Sequence, residues 1–467
     1  MKKTKRIGSA ILALLMALSV TGCTKDGGGE SSHVDKVKVN STAAAEAIAK
    51  IPDGAQKELI WMGTYDLNPM EGKDKSVAMN LFEQKGGSIK WTKVIDAQKY
   101  DKLATAITSG KDVPDIFKYE WIAFPSQVVT GMYQSIDEIV DFDADIWKGV
   151  KDTANQFELK GKHYVAPISF SVGTLMMYNE DVIKNEGLDD PYELYKNGEW
   201  NWDNWYNIMA DYKKNATGDK ERYGVVGWFA PQLVQQTGKT LVTYEDGVFK
   251  NNLNDPDIER AENLLYNLGK EGLVDLNWYG SARSCFEADQ TLFYNMGIWA
   301  MSGSAGPTAD DNWRVVPIPK DPQNDEKVIS GDMLAYMWVK GSTAKEAVKC
   351  WYECERVATF DESYKETATQ KFLTDNPGWT ADMYQVYLDE SSSDHKNVFD
   401  FGYGVSTTLA EDDSAAGKRA PIGALYEDIY KPDDSGVQKT WTALKNSYTG
   451  TIDSELKIIN KKIKDFK

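Results

Sequence analysis

The feature that most constrains the fold is an alternation of strand-like and helix-like segments that starts at residue 58. Short apolar runs are typical of buried strands, and apolar residues spaced three or four apart are typical of helices. Strands that alternate with helices form βαβ units, so the sequence predicts a mainly parallel sheet covered by helices. The segments are strand 58–64, helix 76–85, strand 88–95, helix 100–109 and strand 114–117.

The same alternation continues through the rest of the chain, which has 467 residues and therefore room for two or three domains. After Phe360 the sequence becomes polar and mostly helical in outlook, and it ends in a predicted helix at 454–467. We expect further strands at 222–228, 297–301, 313–318 and 333–339, and further helices at 180–186, 257–269, 281–294 and 343–360.

The first 22 residues have the organisation of a secretory signal peptide. Met1–Arg6 carries four positive charges, and Ile7–Val20 is almost wholly apolar. This run is too short for a spanning helix, which needs about 20 apolar residues. It ends at Val20-Thr21-Gly22-Cys23, which resembles the bacterial lipobox, in which the cysteine is lipidated and begins the mature protein. An ordinary signal peptide with an incidental cysteine is the alternative.

Composition excludes several classes of protein. The formal net charge of −18 argues against nucleic acid as a partner and against binding of anionic lipid by the folded body. Besides Cys23, the cysteines are Cys285, Cys350 and Cys354, an odd number that disfavours a disulfide framework. The three histidines lie far apart and none stands beside a cysteine, so neither a zinc site nor any cofactor is expected.

Aromatic residues with a polar edge are abundant, with 15 Trp and 24 Tyr. Such side chains pair an apolar face with a hydrogen-bonding group and suit a ligand that is part apolar and part hydroxylated, as sugars are. Most of them must nevertheless fill cores and cover surfaces.

Four segments, taken in order, resemble a known family. They are KYDKLATAITSGKDVPDIF, YVAPISFSVGTLMMYNEDVIKNEGL, LFYNMGIWAMSGSAGP and SGDMLAYMWVKGSTAKEAVKCWYECE. Together with the lipobox they resemble the extracellular solute-binding proteins of the sugar-binding type (family 1), the lipoprotein components of ABC importers. The resemblance covers most of residues 58–355 and is poor over the last hundred residues.

The resemblance implies an α/β fold of the periplasmic-binding-protein-like type II, with two α/β lobes and a ligand cleft between them. The expected division is a signal peptide at 1–22, a flexible Gly-, Ser- and Ala-rich tether at 23–57, lobe 1 at 58–167 and 298–330, and lobe 2 at 168–297 and 331–467. The chain would be a monomeric, non-enzymatic receptor, lipid-anchored through Cys23 on the extracytoplasmic face of the cell membrane. It would capture a carbohydrate, an oligosaccharide by its aromatic content, and deliver it to an ABC transporter permease.

The candidate ligand-binding residues follow strand ends or lie on the expected crossovers. Aromatic rings can stack on a sugar, and carboxylates can accept hydrogen bonds from its hydroxyl groups. The candidates are Tyr65, Asp66, Glu120, Trp121, Ser171, Thr174, Trp228, Gly303, Ser304 and Asp332. The resemblance, rather than the chemistry, suggests Ser171 and Thr174.

Each candidate also has a purely structural interpretation. Asp66 could begin a turn, Trp228 could be a core residue, and Ser171 with Thr174 could hydrogen-bond within the hinge. The family often has an aromatic residue just past the glycine of its second crossover. Here Ala305 stands past Gly303, which departs from the family's pattern at one expected stacking contact, and a core position is an open interpretation for Trp299.

Two other functions stay open. Glycosidases use the same residue types, with an acid and a nucleophile or base roughly 5 to 10 Å apart. The chain has no Gly-x-Ser-x-Gly elbow, His-Glu-x-x-His sequence or P-loop, and its order of segments matches a hinged binder rather than a TIM barrel. A solute receptor for a sensor kinase is the second alternative.

Overall fold

The computed structural model describes residues 41–69, 75–218, 220–392, 394–413 and 418–466. The predicted signal peptide, Cys23 and the first part of the predicted tether lie outside these residues. Within the described ranges, no helix combines the length and the apolar character that crossing a membrane requires.

The strands, in chain order, are β1 (Glu58–Gly63), β2 (Ser88–Lys93), β3 (Ile116–Lys118), β4 (Glu158–Leu159), β5 (Lys162–His163), β6 (Ala166–Val172), β7 (Leu175–Asn179), β8 (Tyr223–Gly227), β9 (Val242–Glu245), β10 (Val248–Asn251), β11 (Thr291–Met296), β12 (Trp313–Val316), β13 (Val328–Trp338) and β14 (Lys396–Val398).

The helices are α1 (Ala43–Ala47), α2 (Val77–Gln84), α3 (Lys99–Ser109), α4 (Ser126–Val129), α5 (Lys151–Asn155), α6 (Glu180–Glu186), α7 (Pro191–Lys196), α8 (Trp202–Lys214), α9 (Ala230–Gln235), α10 (Pro256–Lys270), α11 (Ala282–Ala288), α12 (Lys345–Phe360), α13 (Glu362–Asp375), α14 (Ala381–Glu390), α15 (Gly402–Val405), α16 (Thr407–Ala410), α17 (Pro421–Glu427) and α18 (Trp441–Asp465). Short 3₁₀ turns lie at Asp96–Gln98, Lys148–Val150, Ile298–Met301 and Gly303–Ala305.

The strands form two main sheets. In the six-stranded sheet the order is β14-β13-β3-β1-β2, and β6 also pairs with β13. The βαβ units predicted at the start of the chain are confirmed, because β1 pairs in parallel with both β2 and β3. The four-stranded sheet has the order β12-β7-β11-β8, with β8 and β11 parallel and β7 antiparallel to both of its neighbours.

Helix ends follow local signals that the sequence carries. Before α6, the Asn179 side chain accepts hydrogen bonds from the backbone N–H groups of Asp181 and Val182. The same helix ends at Gly187 in a left-handed conformation (φ 67°) that glycine adopts without a steric cost. These caps satisfy backbone groups that a helix leaves unpaired at its ends, which is why 180–186 could be predicted to the residue.

Two predicted elements are wrong at the second crossover. The helix expected at 281–294 ends at Ala288, because Asp289 takes a left-handed conformation (φ 50°). The β-prone residues that follow it form β11 in the centre of the four-stranded sheet. The strand expected at 297–301 is instead a 3₁₀ turn at Ile298–Met301, because sheet pairing already stops at Met296.

Strand pairing also departs from the predicted lobe boundaries. β12, expected in lobe 1, pairs with β7 in the four-stranded sheet. β13 and α12, expected in lobe 2, belong with the six-stranded sheet, where β13 pairs with β3 and β6 and α12 packs on α2. The last part of the predicted tether is folded too, since Ala45, Ile48 and Ile51 are buried in the core beneath α12. The chain therefore recrosses between β12 and β13.

The C-terminal helix α18 packs against elements of both halves of the fold. α18 packs on β10, α10 and α17, and its apolar residues join one core cluster with residues of the four-stranded sheet and of the turn after β3. A second cluster lies beneath the six-stranded sheet around Trp61, Phe82 and Trp351. The sequence after Phe360 is rich in polar residues because its helices are amphipathic and bury only one face.

Candidate ligand-binding cleft

Strand ends from both sheets meet at one cleft. Four strands end at this cleft, namely β3, β6, β8 and β11. Residues Lys118, Asp332 and Met333 are called the cleft floor below. Ligands of open α/β sheets bind beyond the carboxyl ends of strands, which is the position of this cleft. Its lining residues are Lys118, Tyr119, Glu120, Trp121, Ser171, Val172, Gly173, Trp228, Gly297, Ile298, Trp299, Asp332, Met333 and Tyr387.

A carboxylate and an ammonium group share the cleft floor. Asp332 on β13 stands opposite Ser171 on β6 in the antiparallel register. Burial raises the pKa of Asp332, and the nearby Lys118 ammonium opposes that rise. Burial likewise lowers the pKa of Lys118, opposed by Asp332 and Glu120. Both charges are thus poorly solvated, and hydroxyl groups of a ligand could replace the missing water.

The Glu120 carboxylate is held in place by two side chains of α3. Its Oε2 accepts a hydrogen bond from Tyr100 Oη at 2.9 Å and makes an ion pair with the Lys99 ammonium. Lys99 is itself buried and also binds Asp96, with Nζ and Oδ1 2.6 Å apart. α3 therefore fixes the orientation of the Glu120 carboxylate, and both of these contacts are made by the same oxygen.

Trp228 is fixed at the end of β8 by its backbone. Its N–H donates to the Asn295 carbonyl at 2.8 Å, and its own carbonyl accepts from the Asn295 side chain. Gly227 just before it has φ 105°, and a Cβ there would lie 2.0 Å from the Asn295 carbonyl oxygen. Only glycine fits this close approach of β8 to β11. The half-buried Trp228 indole lines the cleft and also packs against the apolar core of the four-stranded sheet.

Trp299 lines the cleft and also packs against a core cluster. Its ring centroid is 6.0 Å from that of Trp228. Because β11 ends at Met296, the glycine that follows the strand is Gly297 rather than Gly303. Trp299 is thus an aromatic residue two positions past the glycine that follows the strand, and the strand expected at 297–301 was placed five residues too late.

Of the ten candidates, the cleft brings together Glu120, Trp121, Ser171, Trp228 and Asp332. Tyr65 and Asp66 are outside its lining. Tyr65 packs on Trp61, and Trp61 Nε1 donates to the Tyr65 carbonyl at 2.8 Å. Asp66 is exposed, and its Oδ1 accepts from the Asn68 backbone N–H at 2.9 Å, which is the turn geometry of the structural interpretation.

The remaining three candidates have structural partners near the cleft. Thr174 is buried, and its Oγ1 accepts from Asn295 Nδ2 at 2.9 Å. The Gly303 N–H donates to Asn376 Oδ1 at 2.6 Å, and Ser304 is exposed in the following turn. These contacts neither include nor exclude a role in binding, which stays a prediction for these residues.

Sequence reasoning missed Lys118 and Tyr387. Lys118 is the first charged residue after the apolar strand PDIF, so its position at a strand end could have marked it. Tyr387 comes from α14, which only the tertiary fold brings to the cleft, and no local pattern points to it.

The comparisons with known proteins agree with this geometry. The family model of the bacterial extracellular solute-binding proteins matches residues 77–398. The chain belongs to this family. No curated protein sequence matches the chain. The match ends at β14, so the helices α15–α18 lie beyond it.

Several solved structures share the fold of this chain. The ABC transporter associated binding protein of B. animalis subsp. lactis Bl-04, in complex with β-1,6-galactobiose, is 18% identical, with 86% of this chain and 98% of that chain covered and a TM-score of 0.55. Lmo0181 of Listeria monocytogenes, in complex with cycloalternan, is 15% identical, with 88% and 99% covered and a TM-score of 0.53. The GacH receptor of Streptomyces glaucescens GLA.O, studied with acarbose, is 15% identical, with 88% and 99% covered and a TM-score of 0.55.

These likenesses identify the fold as periplasmic-binding-protein-like type II, with two α/β lobes. The fold class expected from the sequence is confirmed. The family and the structures similar to this solute-binding protein are binding proteins rather than enzymes.

Proposed function

We propose that this solute-binding protein captures a carbohydrate in the cleft between its lobes and delivers it, unaltered, to the permease of an ABC transporter. One observation carries the proposal: a single cleft is lined by indole rings that follow strands of the four-stranded sheet and by carboxylates of the six-stranded sheet. The ligands of the three similar receptors, β-1,6-galactobiose, cycloalternan and acarbose, support it.

The cleft residues have separate roles in this proposal. Trp228 and Trp299 offer their faces to the apolar side of a pyranose ring. Asp332 and Glu120 accept hydrogen bonds from hydroxyl groups, which are strong because the acceptor is ionised. Lys118 donates to a ring or hydroxyl oxygen. A sugar lacking one hydroxyl would leave a charged group unpaired, so the site selects by stereochemistry.

Closure of the two lobes would complete the site. The chain crosses between the sheets at residues 173–174, between β6 and β7, and again between β12 and β13. Hinge closure about a ligand at such crossings excludes water from the cleft. It would also change the outer surface that the permease contacts, so that only the loaded receptor is recognised.

The lipid anchor belongs to the proposal as well. Lipidation of Cys23 would hold the monomeric receptor at the extracytoplasmic face of the membrane, beside its permease. Replacing Cys23 with Ser should move the protein from the membrane fraction into the medium, measured by immunoblotting of the two fractions. Unchanged membrane association of the variant would contradict the anchor.

The capture function is tested by thermal unfolding of the purified protein with a panel of saccharides. A ligand that binds only the native state raises the melting temperature, by an amount that grows with its concentration. We expect at least one saccharide to do so and to be recovered intact after incubation. Cleavage of that saccharide or of aryl glycosides would favour a glycosidase, and no shift with any saccharide would contradict the proposal.

A further inference from the structure

An exposed tryptophan lies just outside the cleft. Trp278 is 63% exposed, more than any other large apolar side chain in the described part of the chain. Leaving an indole in water forgoes the free energy that its burial would give. Trp278 is not among the cleft-lining residues, but its ring centroid is 6.1 Å from that of Trp228, with an angle of 36° between the planes.

The loop that carries Trp278 is held firmly in place. Asp275 is buried, and its Oδ1 accepts from the backbone and the side chain of Asn277 at 2.9 and 2.8 Å. Its Oδ2 accepts from Tyr279 Oη at 3.0 Å and from Thr291 Oγ1 at 2.6 Å. The Asp275 N–H also donates to the Val225 carbonyl, which ties the loop to β8. The hydrogen bonds of Asp275 therefore fix the loop that carries Trp278, and Trp278 is exposed because of its position on this loop.

Trp228 adjoins one indole inside the cleft and another outside it. Trp299 and Trp228 are 6.0 Å apart and Trp228 and Trp278 are 6.1 Å apart, measured between ring centroids. Each step is comparable to the advance from one pyranose ring to the next along a saccharide. The first two rings line the cleft, and the third, Trp278, is exposed to solvent beside it.

We propose that Trp278 forms an outer subsite that stacks on a second or later sugar ring, so that the ligand is an oligosaccharide rather than a monosaccharide. This inference rests on the proposed function and deepens it. Aromatic side chains of this kind carry a large share of binding free energy where they are covered by a partner. Trp278 then sets the ligand length that the receptor prefers.

The test is calorimetric titration of the full protein and three variants with mono- to tetrasaccharides of the gluco-, galacto-, manno-, xylo- and chito-series. The variants are Trp278→Ala, Trp278→Phe and the matched control Leu276→Ala, whose side chain is 56% exposed on the same loop. We expect the tightest ligand to have two or more rings, and Trp278→Ala to lower its affinity about 10-fold. Trp278→Phe should recover part of that loss, and Leu276→Ala should bind as the wild type does.

The outcomes separate this inference from the proposed function. If Trp228→Ala weakens binding and Trp278→Ala does not, the receptor still captures carbohydrate but the outer subsite is wrong, and Trp278 is then free to serve contact with the permease. Equal affinity for a monosaccharide and its longer homologues would also overturn the subsite. If no saccharide of the panel binds, the proposed function fails and the subsite with it.

Discussion

At the scale of single residues, the cleft depends on charges that the protein leaves poorly solvated. Asp332 and Lys118 each have a pKa displaced toward the neutral form by burial, and each is opposed by the other. Such a pair is costly in the empty cleft and becomes favourable when ligand hydroxyl groups hydrogen-bond to it. Because Asp332 and Lys118 are poorly solvated in the free protein, hydrogen bonds from a ligand stabilise the bound state relative to the free state.

Replacing Asp332 with Asn should weaken saccharide binding strongly. The amide keeps the shape of the side chain but removes the charge, and a hydrogen bond to a charged group contributes about 1.5–3 kcal/mol, or about 10- to 100-fold in affinity. Titration calorimetry measures the loss. The control is Asp246→Asn, in an exposed turn with φ 53° that Asn also adopts readily. Equal affinity of Asp332→Asn and wild type would remove Asp332 from the site.

Glu355 makes the stability of the receptor depend on pH. Burial raises its pKa from 4.5 to about 7, although Tyr336 Oη donates to its Oε1 at 3.1 Å. Between these values the native state holds a proton that the unfolded chain releases, so the contribution of Glu355 to stability falls as pH rises from about 4.5 to 7, by up to about 3 kcal/mol. Glu355→Gln should therefore raise the melting temperature at pH 7.5 more than at pH 4.5. An equal change at both values would contradict this.

Residues that follow strand ends could be predicted, and residues that arrive from elsewhere could not. Trp228 was found because an apolar run marks its own end in the sequence, whereas Asp332 was found because it follows Gly331 in the segment that resembles the family's third crossover. Tyr387 reaches the cleft from α14, which lies far along the chain, and Trp299 was misplaced because the end of β11 was misjudged. Asp289, which ends α11 by adopting φ 50°, is a weak local signal, since residues other than glycine seldom adopt a positive φ.

At the scale of elements, α15 supports the cleft from outside the family match. The Tyr403 ring meets the Trp121 ring edge-on, with centroids 4.2 Å apart. A Cβ on Gly404 would lie 1.6 Å from the Phe124 carbonyl oxygen, so α15 packs directly on the turn that carries Trp121. Asp400 anchors the start of α15 by accepting from the Gly402 N–H and from Tyr426 Oη. The C-terminal helices thus position a cleft residue.

Tyr403→Ala should lower saccharide affinity about 3- to 10-fold, because an edge-on aromatic pair contributes about 0.5–1.5 kcal/mol and Trp121 would lose its support. Tyr403→Phe keeps the ring and should bind as the wild type does. In a Trp121→Ala background the Tyr403→Ala change should have no further effect, which a double-mutant cycle by calorimetry would measure. Additive losses would mean that Tyr403 does not act through Trp121.

At the scale of the whole molecule, two sheets with different strand orders enclose one cleft. The order β14-β13-β3-β1-β2 could be foreseen only in part, because the sequence predicted the parallel β1, β2 and β3 but not the return of β13. The strand pairing differs from the predicted lobe boundaries there for the same reason, since an apolar strand does not show which sheet it joins. What the family resemblance supplied, and local pattern could not, was the pairing of distant segments across the cleft.

The central claim is that a saccharide lies intact between the two sheets. A crystal structure of the protein with the tightest-binding saccharide of the panel tests it most directly. We expect an uncleaved ligand with one ring against Trp228 and a hydroxyl group hydrogen-bonded to Asp332. A saccharide bound outside the cleft, or one broken into its parts, would contradict the claim.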